Sequence, residues 1–134
     1  MKRANIVTAF LEHNGLILIL KRSKDVKTMK GKWAGISGYI EEEDASDAAI
    51  REIKEETGID KKDLKLLSRS SPIEVYDDKN NILWIVHPFL FHTENINITI
   101  DKEHEEYRWI KPKSIVEYDT VPKLFETLNS LLKL

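Results

Sequence analysis

The stretch from Asn5 to Arg22, "NIVTAFLEHNGLILILKR", limits the fold more than any other part of the chain. Two apolar, β-branched runs flank His13-Asn14-Gly15, a tight-turn sequence, and together they read as a β-hairpin. A chain that opens this way must build a sheet and then cover it. Further along, "AGISGYI" reads as a short strand with two glycines, where the backbone must bend or come close to another group. "DLKLLSRSSPIEVYD" and "NNILWIVHPFLFHT" read as strands joined through the turn "DDKNN". Pro88 in the second run suggests an edge strand or a bulge, because proline has no N–H to give to a ladder. "EEYRWI" is a last short strand.

Two segments carry a helical period instead. Between Ser46 and Thr57, Ala48, Ala49 and Ile53 recur at helical spacing, Ser46 is suited to cap the start, and Gly58 stands where a helix stops. "VPKLFETLNSLLKL" puts Leu124, Leu128 and Leu131 on one face. Strands interleaved with two helices predict an α/β fold, a mixed β-sheet packed between helices. The 134 residues, 41% hydrophobic, fit a single domain spanning 1–134.

Composition then removes several kinds of chemistry. There is no cysteine, which excludes disulfides, thiolate metal sites and cysteine nucleophiles. The 21 basic and 23 acidic residues nearly cancel, so the chain has no general pull on long nucleic acid or an anionic membrane, and any phosphate binding must be local. The N-terminal apolar run ends at Glu12 without a small-residue cleavage site, and no stretch approaches the length of a membrane span. A cytoplasmic protein is expected. His13, His87, His92 and His104 have no metal-ligand spacing relative to one another and read as structural or solvated. With no Walker loop and no dinucleotide-type glycine fingerprint, phosphate recognition would rest on a metal and nearby cations.

"REIKEETGI", residues 51–59, supplies the candidate metal site. At about 100° per residue, Glu52, Glu55 and Glu56 fall within roughly one third of the helix circumference. Glu52 and Glu56 are a like-charge i,i+4 pair, which costs a few tenths of a kcal/mol in a bare helix. Arg51 stands i,i+4 from Glu55 and can hold that carboxylate, but one arginine cannot neutralise three glutamates. A hard divalent cation can, since Mg²⁺ takes oxygen ligands and is typically held by one or two carboxylates together with substrate phosphates. Glu43, in the loop just before the helix, can join the ridge. A charged helix face that is simply solvated is the plain alternative.

Glu43, then seven residues, then Arg51-Glu52-Ile53-x-Glu55-Glu56-x-Gly58-Ile59 resembles the signature of the Nudix hydrolases. The glycine that normally opens this motif, six residues before its first glutamate, is replaced here by Ser37, and Gly38 comes one step late. Either the loop between Gly38 and Glu43 is one residue short, or Asp44 takes the place of the first glutamate. The hairpin, the "GKW" lead-in and the downstream "EHEEYRWI" stand in the family's order, so the resemblance covers nearly the whole chain. Within the family, "WAGISGYIEE", "VHPFLFH" and "EYDTVPKL" are most similar to archaeal members, including those fused to a domain related to translation initiation factor 2B. The resemblance implies the Nudix fold and Mg²⁺- or Mn²⁺-dependent hydrolysis of a nucleoside diphosphate linked to another group. By position, it makes Glu55 and Glu56 metal ligands, Glu52 a ligand or the base that deprotonates water, and Arg51 the side chain that orients a glutamate. Glu43 is a further contributor, and Gly38 belongs with the metal-holding set. A Nudix-fold domain that binds a nucleotide without turnover is the alternative.

Other candidates are less specific. Glu103 matches the place where several Nudix enzymes supply an extra glutamate, although Glu105 and Glu106 share its segment. Lys21, Arg22 and Lys32 flank the motif and can meet phosphates as point charges. Trp33, Tyr76, Trp84 and Tyr107 can stack a base, whereas Trp109 reads as core. "EHEEYRW" also resembles dinucleoside tetraphosphate hydrolases, which places those compounds beside nucleoside triphosphates and ADP-ribose as candidate substrates. Both a monomer and a homodimer are compatible with the sequence.

Overall fold

A computed structural model describes residues 1–133; Leu134, the end of the segment read as the last helix, lies outside the described residues. In chain order the elements are β1 (Lys2–His13), β2 (Leu16–Arg22), β3 (Trp33–Ala34), β4 (Ile36–Tyr39), α1 (Ala45–Thr57), β5 (Leu64–Arg69), β6 (Ile73–Asp77), β7 (Ile82–Thr93), β8 (His104–Ile110) and α2 (Leu124–Leu132). The β1–β2 turn places Asn14 at φ 50° and Gly15 at φ 80°. Two consecutive left-handed residues match the twist of a two-residue hairpin, which explains the Asn-Gly pair.

The strands form one eight-stranded mixed sheet. β1 runs parallel to β7 from Lys2 opposite Ile82 to Glu12 opposite His92. On its other side β1 pairs with β2 only beside the turn, at Glu12 with Ile17 and His13 with Leu16. β2 then diverges to pair with β3 and β8, and β4 takes up the rest of that side of β1, with Ile6–Ala9 opposite Tyr39–Ile36. This fork hangs β4 at an edge and feeds the chain from it directly into α1.

Alternation along the central strands separates two cores. Val7, Ala9, Leu11, Leu18, Leu20, Phe89 and Phe91 meet Ala48, Ala49 and Ile53 of α1. On the opposite face, Phe10, Ile17, Ile19 and Leu90 meet Leu124, Leu128 and Leu131 of α2. Both faces of β2 are therefore covered, which is why its sequence is apolar without interruption.

Three expectations are corrected. β7 is interior, with β1 on one side and β5 and β6 on the other, so Pro88 is not on an edge strand. Its carbonyl accepts from Ser70 N, so its missing N–H faces the same side, where β5 has ended at Arg69 opposite Phe89 and β6 begins at Ile73 opposite Val86. The segment 63–77 is accordingly two strands, broken at Ser70, Ser71 and Pro72. The cap of α1 is Asp44, whose side chain accepts from Asp47 N, and Ser46 instead donates its hydroxyl to Asp44.

The two glycines of "AGISGYI" both sit at close approaches. A Cβ on Gly35 would come 3.0 Å from Thr8 Cγ2 and 3.1 Å from the Ala9 carbonyl oxygen. Gly35→Ala is expected to destabilise the protein by about 1–3 kcal/mol through overpacking against β1. A lower urea midpoint at unchanged m-value would show this, and an unchanged midpoint would contradict the packing.

Candidate active site

Helix α1 buries its Ala48, Ala49 and Ile53 stripe on the sheet, and Glu52 and Glu56 lie in the same buried arc. Glu52 is 8% exposed and Glu56 only 2%, while the Glu55 side chain is 55% exposed at the rim. The helix ends at Gly58, with φ 80° and its N–H on the Lys54 carbonyl. That left-handed stop explains the Thr-Gly ending of the acidic segment.

Glu52 reaches across the β4 edge against Gly38. A Cβ built on Gly38 would lie 2.1 Å from the Glu52 carboxyl carbon, so only glycine leaves room for that carboxylate. Arg51 ties the arrangement together: Nη1 donates to Glu52 at 2.5 Å, and Nη2 donates to Glu43 at 2.8 Å and to the Tyr39 carbonyl at 2.9 Å. Glu55, expected as its i,i+4 partner, stands 3.6 Å away, so the arginine binds Glu43 and Glu52 more closely. Of the two acids that can stand for the motif's first glutamate, Glu43 engages Arg51 and Asp44 caps the helix.

Glu56 is the most deeply buried of the acids. Burial pushes its carboxyl well above the ordinary value of 4.5, helped by hydrogen bonding to Glu52 and by the nearby charges of Glu52, Asp101 and Glu103. Burial raises Glu52 as well, against the opposing effects of the Glu56 hydrogen bond and Arg51. Opposite Glu56 lies His104, itself buried, with Nε2 3.6 Å from Glu56 Oε1 and Nδ1 2.6 Å from Asp101. Sequence reading had placed His104 among structural or solvated histidines and had not considered Asp101. Their pairing depends on how the 94–103 segment folds back onto α1, which spacing does not reveal.

The donor set fits a hard divalent cation. Every candidate ligand offers oxygen, and Glu56 Oε2 is buried with no hydrogen-bond partner among the described residues. One guanidinium faces Glu43, Glu52 and Glu55, so negative charge is left unbalanced, as the sequence had required. Among the described residues no three His, Cys, Asp or Glu side chains are drawn into one ligand shell; Arg51 holds the space between Glu43 and Glu52 instead.

Glu52 and Glu55 open onto a cleft of 780 Å³ lined also by Gly38, Tyr39, Arg51, Asp101 and Glu103, whereas Glu43 and Glu56 do not line it. Arg22 lines it too, with its guanidinium on the Thr28 carbonyl. Lys32 and Trp33 do not line it. Lys32 pairs with Asp119 at 2.8 Å, and Trp33 is 7% exposed in the α2-side core, edge-on to Tyr118 and beneath Arg108. Trp33 belongs instead, with Lys21, to a separate hollow of 540 Å³. No helix among the described residues is long and apolar enough to cross a membrane.

A buried carboxylate ridge, a glycine cradle and an adjoining cleft make up the candidate site of this sheet, and comparison with known proteins gives the family. Residues 1–131 match the family model described as NUDIX domain. The chain is 31% identical over 140 residues to the nucleoside triphosphatase NudI of Escherichia fergusonii, an alignment spanning 96% of each. Among solved structures, the MutT protein of Methanosarcina mazei Go1 superposes with a TM-score of 0.77 at 24% identity, covering 95% of this chain and 90% of that one. A C. elegans Ap4A hydrolase binary complex superposes with a TM-score of 0.76 at 20% identity, covering 97% and 94%. The chain belongs to the Nudix family and is a hydrolase acting on phosphorus-containing acid anhydrides.

Two outcomes follow for the site. Gly38→Ala is expected to push Glu52 off its seat and weaken Mn²⁺ binding about tenfold or more, as read by calorimetric titration; undiminished affinity would show that Gly38 cradles nothing of consequence. The pKa of Glu56 is higher in the folded protein than in the unfolded chain. Its contribution to stability is therefore full below 4.5 and lost as pH rises through the folded value. With chelator, the melting temperature should carry this loss on the alkaline side, and a divalent ion should stabilise increasingly as pH rises because it binds the ionised form. Metal stabilisation that shrinks with rising pH would contradict the assignment.

Proposed function

We propose that the protein is a Mg²⁺-dependent pyrophosphohydrolase, with Mn²⁺ as a possible substitute, that cleaves the diphosphate linkage of a nucleoside diphosphate derivative. The observation that carries this reading is the buried Glu52–Glu56 pair, in which Glu56 keeps one carboxylate oxygen without a partner and Glu52 stands at the wall of an open cleft. Nucleoside triphosphates are the first candidates because NudI is named for that activity. ADP-ribose and dinucleoside polyphosphates are the others. The archaeal-type kinship and a cytoplasmic location belong to the same proposal and rest on the sequence alone.

Glu55 and Glu56 would hold the metal, joined by Glu52, Glu43 and the Gly38 backbone, with Glu103 available from the facing loop. Once bound, the ion would supply charge neutralisation at the phosphate oxygens and a water of lowered pKa. Glu52, fixed between Gly38 and Arg51, accepts the proton of the attacking water at its carboxylate. Arg51 stays protonated beside Glu43 and Glu52 and keeps the Glu52 carboxylate oriented. Arg22, at the cleft wall, meets a phosphate as a cation.

The test is release of phosphate or pyrophosphate from nucleoside triphosphates, ADP-ribose and diadenosine tetraphosphate with Mg²⁺, Mn²⁺ or chelator. Turnover of one class is expected, abolished by chelator and lowered roughly 10²–10⁴-fold in Glu52→Gln. Nucleotide binding without release under any metal would favour the non-catalytic alternative.

A further inference from the structure

The cleft has two chemically different ends. One is the carboxylate ridge with Arg51; the other joins an apolar floor of Ile6, Val75, Trp84 and Val86 to a polar margin of Tyr76, Asp77, Asp78 and Lys79, and Tyr39 stands between the two ends. Strand register explains how this surface forms. Cross-strand partners face the same side of a sheet, so Tyr39, Ile6 and Val86 make one row. Ala4, Trp84 and Val75 make the next. Ala4 has almost no side chain to place between the rows, and Tyr39 meets Trp84 diagonally across them, with ring centroids 5.8 Å apart and planes tilted by 49°.

The two rings are held in different ways. Trp84 is half-buried on β7, beside a β6–β7 turn in which Asp77 accepts from the backbone and side-chain nitrogens of Asn80 at 3.1 and 2.9 Å. Tyr39 is 58% exposed, and its own carbonyl accepts from Arg51, so its backbone is anchored at the acidic end while its ring is open to the cleft. Trp33 and Trp109 are engaged in core packing elsewhere.

We infer that Tyr39 and Trp84 form the subsite on which the nucleobase stacks. This rests on the hydrolase reading of the same cleft. A molecule with phosphates at the carboxylate ridge can lay a flat apolar group on the rings only a few ångströms further along the wall. Stacking of this kind accepts every base, because each has a π-face.

The experiment compares the dissociation constants of AMP, CMP and ribose 5-phosphate in the presence of Mg²⁺, for the full-length protein and its Tyr39→Leu, Tyr39→Phe and Trp84→Leu variants. The two nucleotides should bind about five- to hundredfold tighter than ribose 5-phosphate. Tyr39→Leu should erase most of that difference and Tyr39→Phe should restore it. Binding should also quench indole emission, and Trp84→Leu should remove the quench. If the preference for nucleotides survives in Tyr39→Leu and in folded Trp84→Leu, the base lies elsewhere and the subsite is overturned, whatever the turnover panel shows. Equal binding of all three ligands by the unaltered protein overturns it too. If the preference behaves as expected but no metal-dependent turnover is found, the subsite stands and the hydrolase reading fails.

Discussion

The structure around the cleft turns on a pair of carboxylates buried against each other. Glu52 and Glu56 occupy the arc of α1 that would ordinarily be filled by aliphatic side chains, and they face Gly38, His104 and Asp101 rather than water. Burial on this scale disfavours both charges at once. Several features of the surrounding sequence can be understood as accommodating it: a glycine where a methyl group would collide, an arginine shared among three acids, and a histidine set against the deepest carboxyl. None of these improves the fold as such.

The sheet supplies the geometry that makes the pair usable. Because β2 leaves β1 after two residue pairs, β4 can lie at an edge, and α1, which follows it, brings Glu52 against Gly38 there. Glu52 and Glu55 thereby reach a cleft whose floor belongs to the α2 face of the sheet, and acidic and aromatic surfaces from opposite faces meet at one opening. Apolar burial on both faces holds the frame rigid while the functional groups sit where the layers part.

Much of this was legible in the sequence, for identifiable reasons. Hairpin, central strands and helices announce themselves through hydrophobic period, and those periods report burial directly. The acidic ridge was legible because three glutamates on one helical face have an electrostatic cost that needs an explanation. Pro88 misled because a missing N–H can be tolerated inside a sheet where one neighbouring strand ends and another begins. Ser46 misled because Asp44 competes for the same role with a charged oxygen. His104, Asp101 and Tyr39 went unseen or undervalued because their roles come from contacts between distant segments, which no local spacing encodes. Trp33 drew attention as an aromatic beside the motif, yet its ring is consumed by packing with Tyr118 and Arg108.

The most direct measurement is a crystal structure grown with Mn²⁺ and a non-hydrolysable nucleotide, with the metal located by its anomalous scattering. The account predicts Mn²⁺ at inner-sphere distance, roughly 2.1 Å for a small hard divalent ion, from a carboxylate oxygen of Glu56, with Glu52 or Glu55 completing the protein ligands and the phosphates filling the rest of the shell. An anomalous peak remote from α1, with Glu56 still buried against Glu52 and unligated, would contradict it.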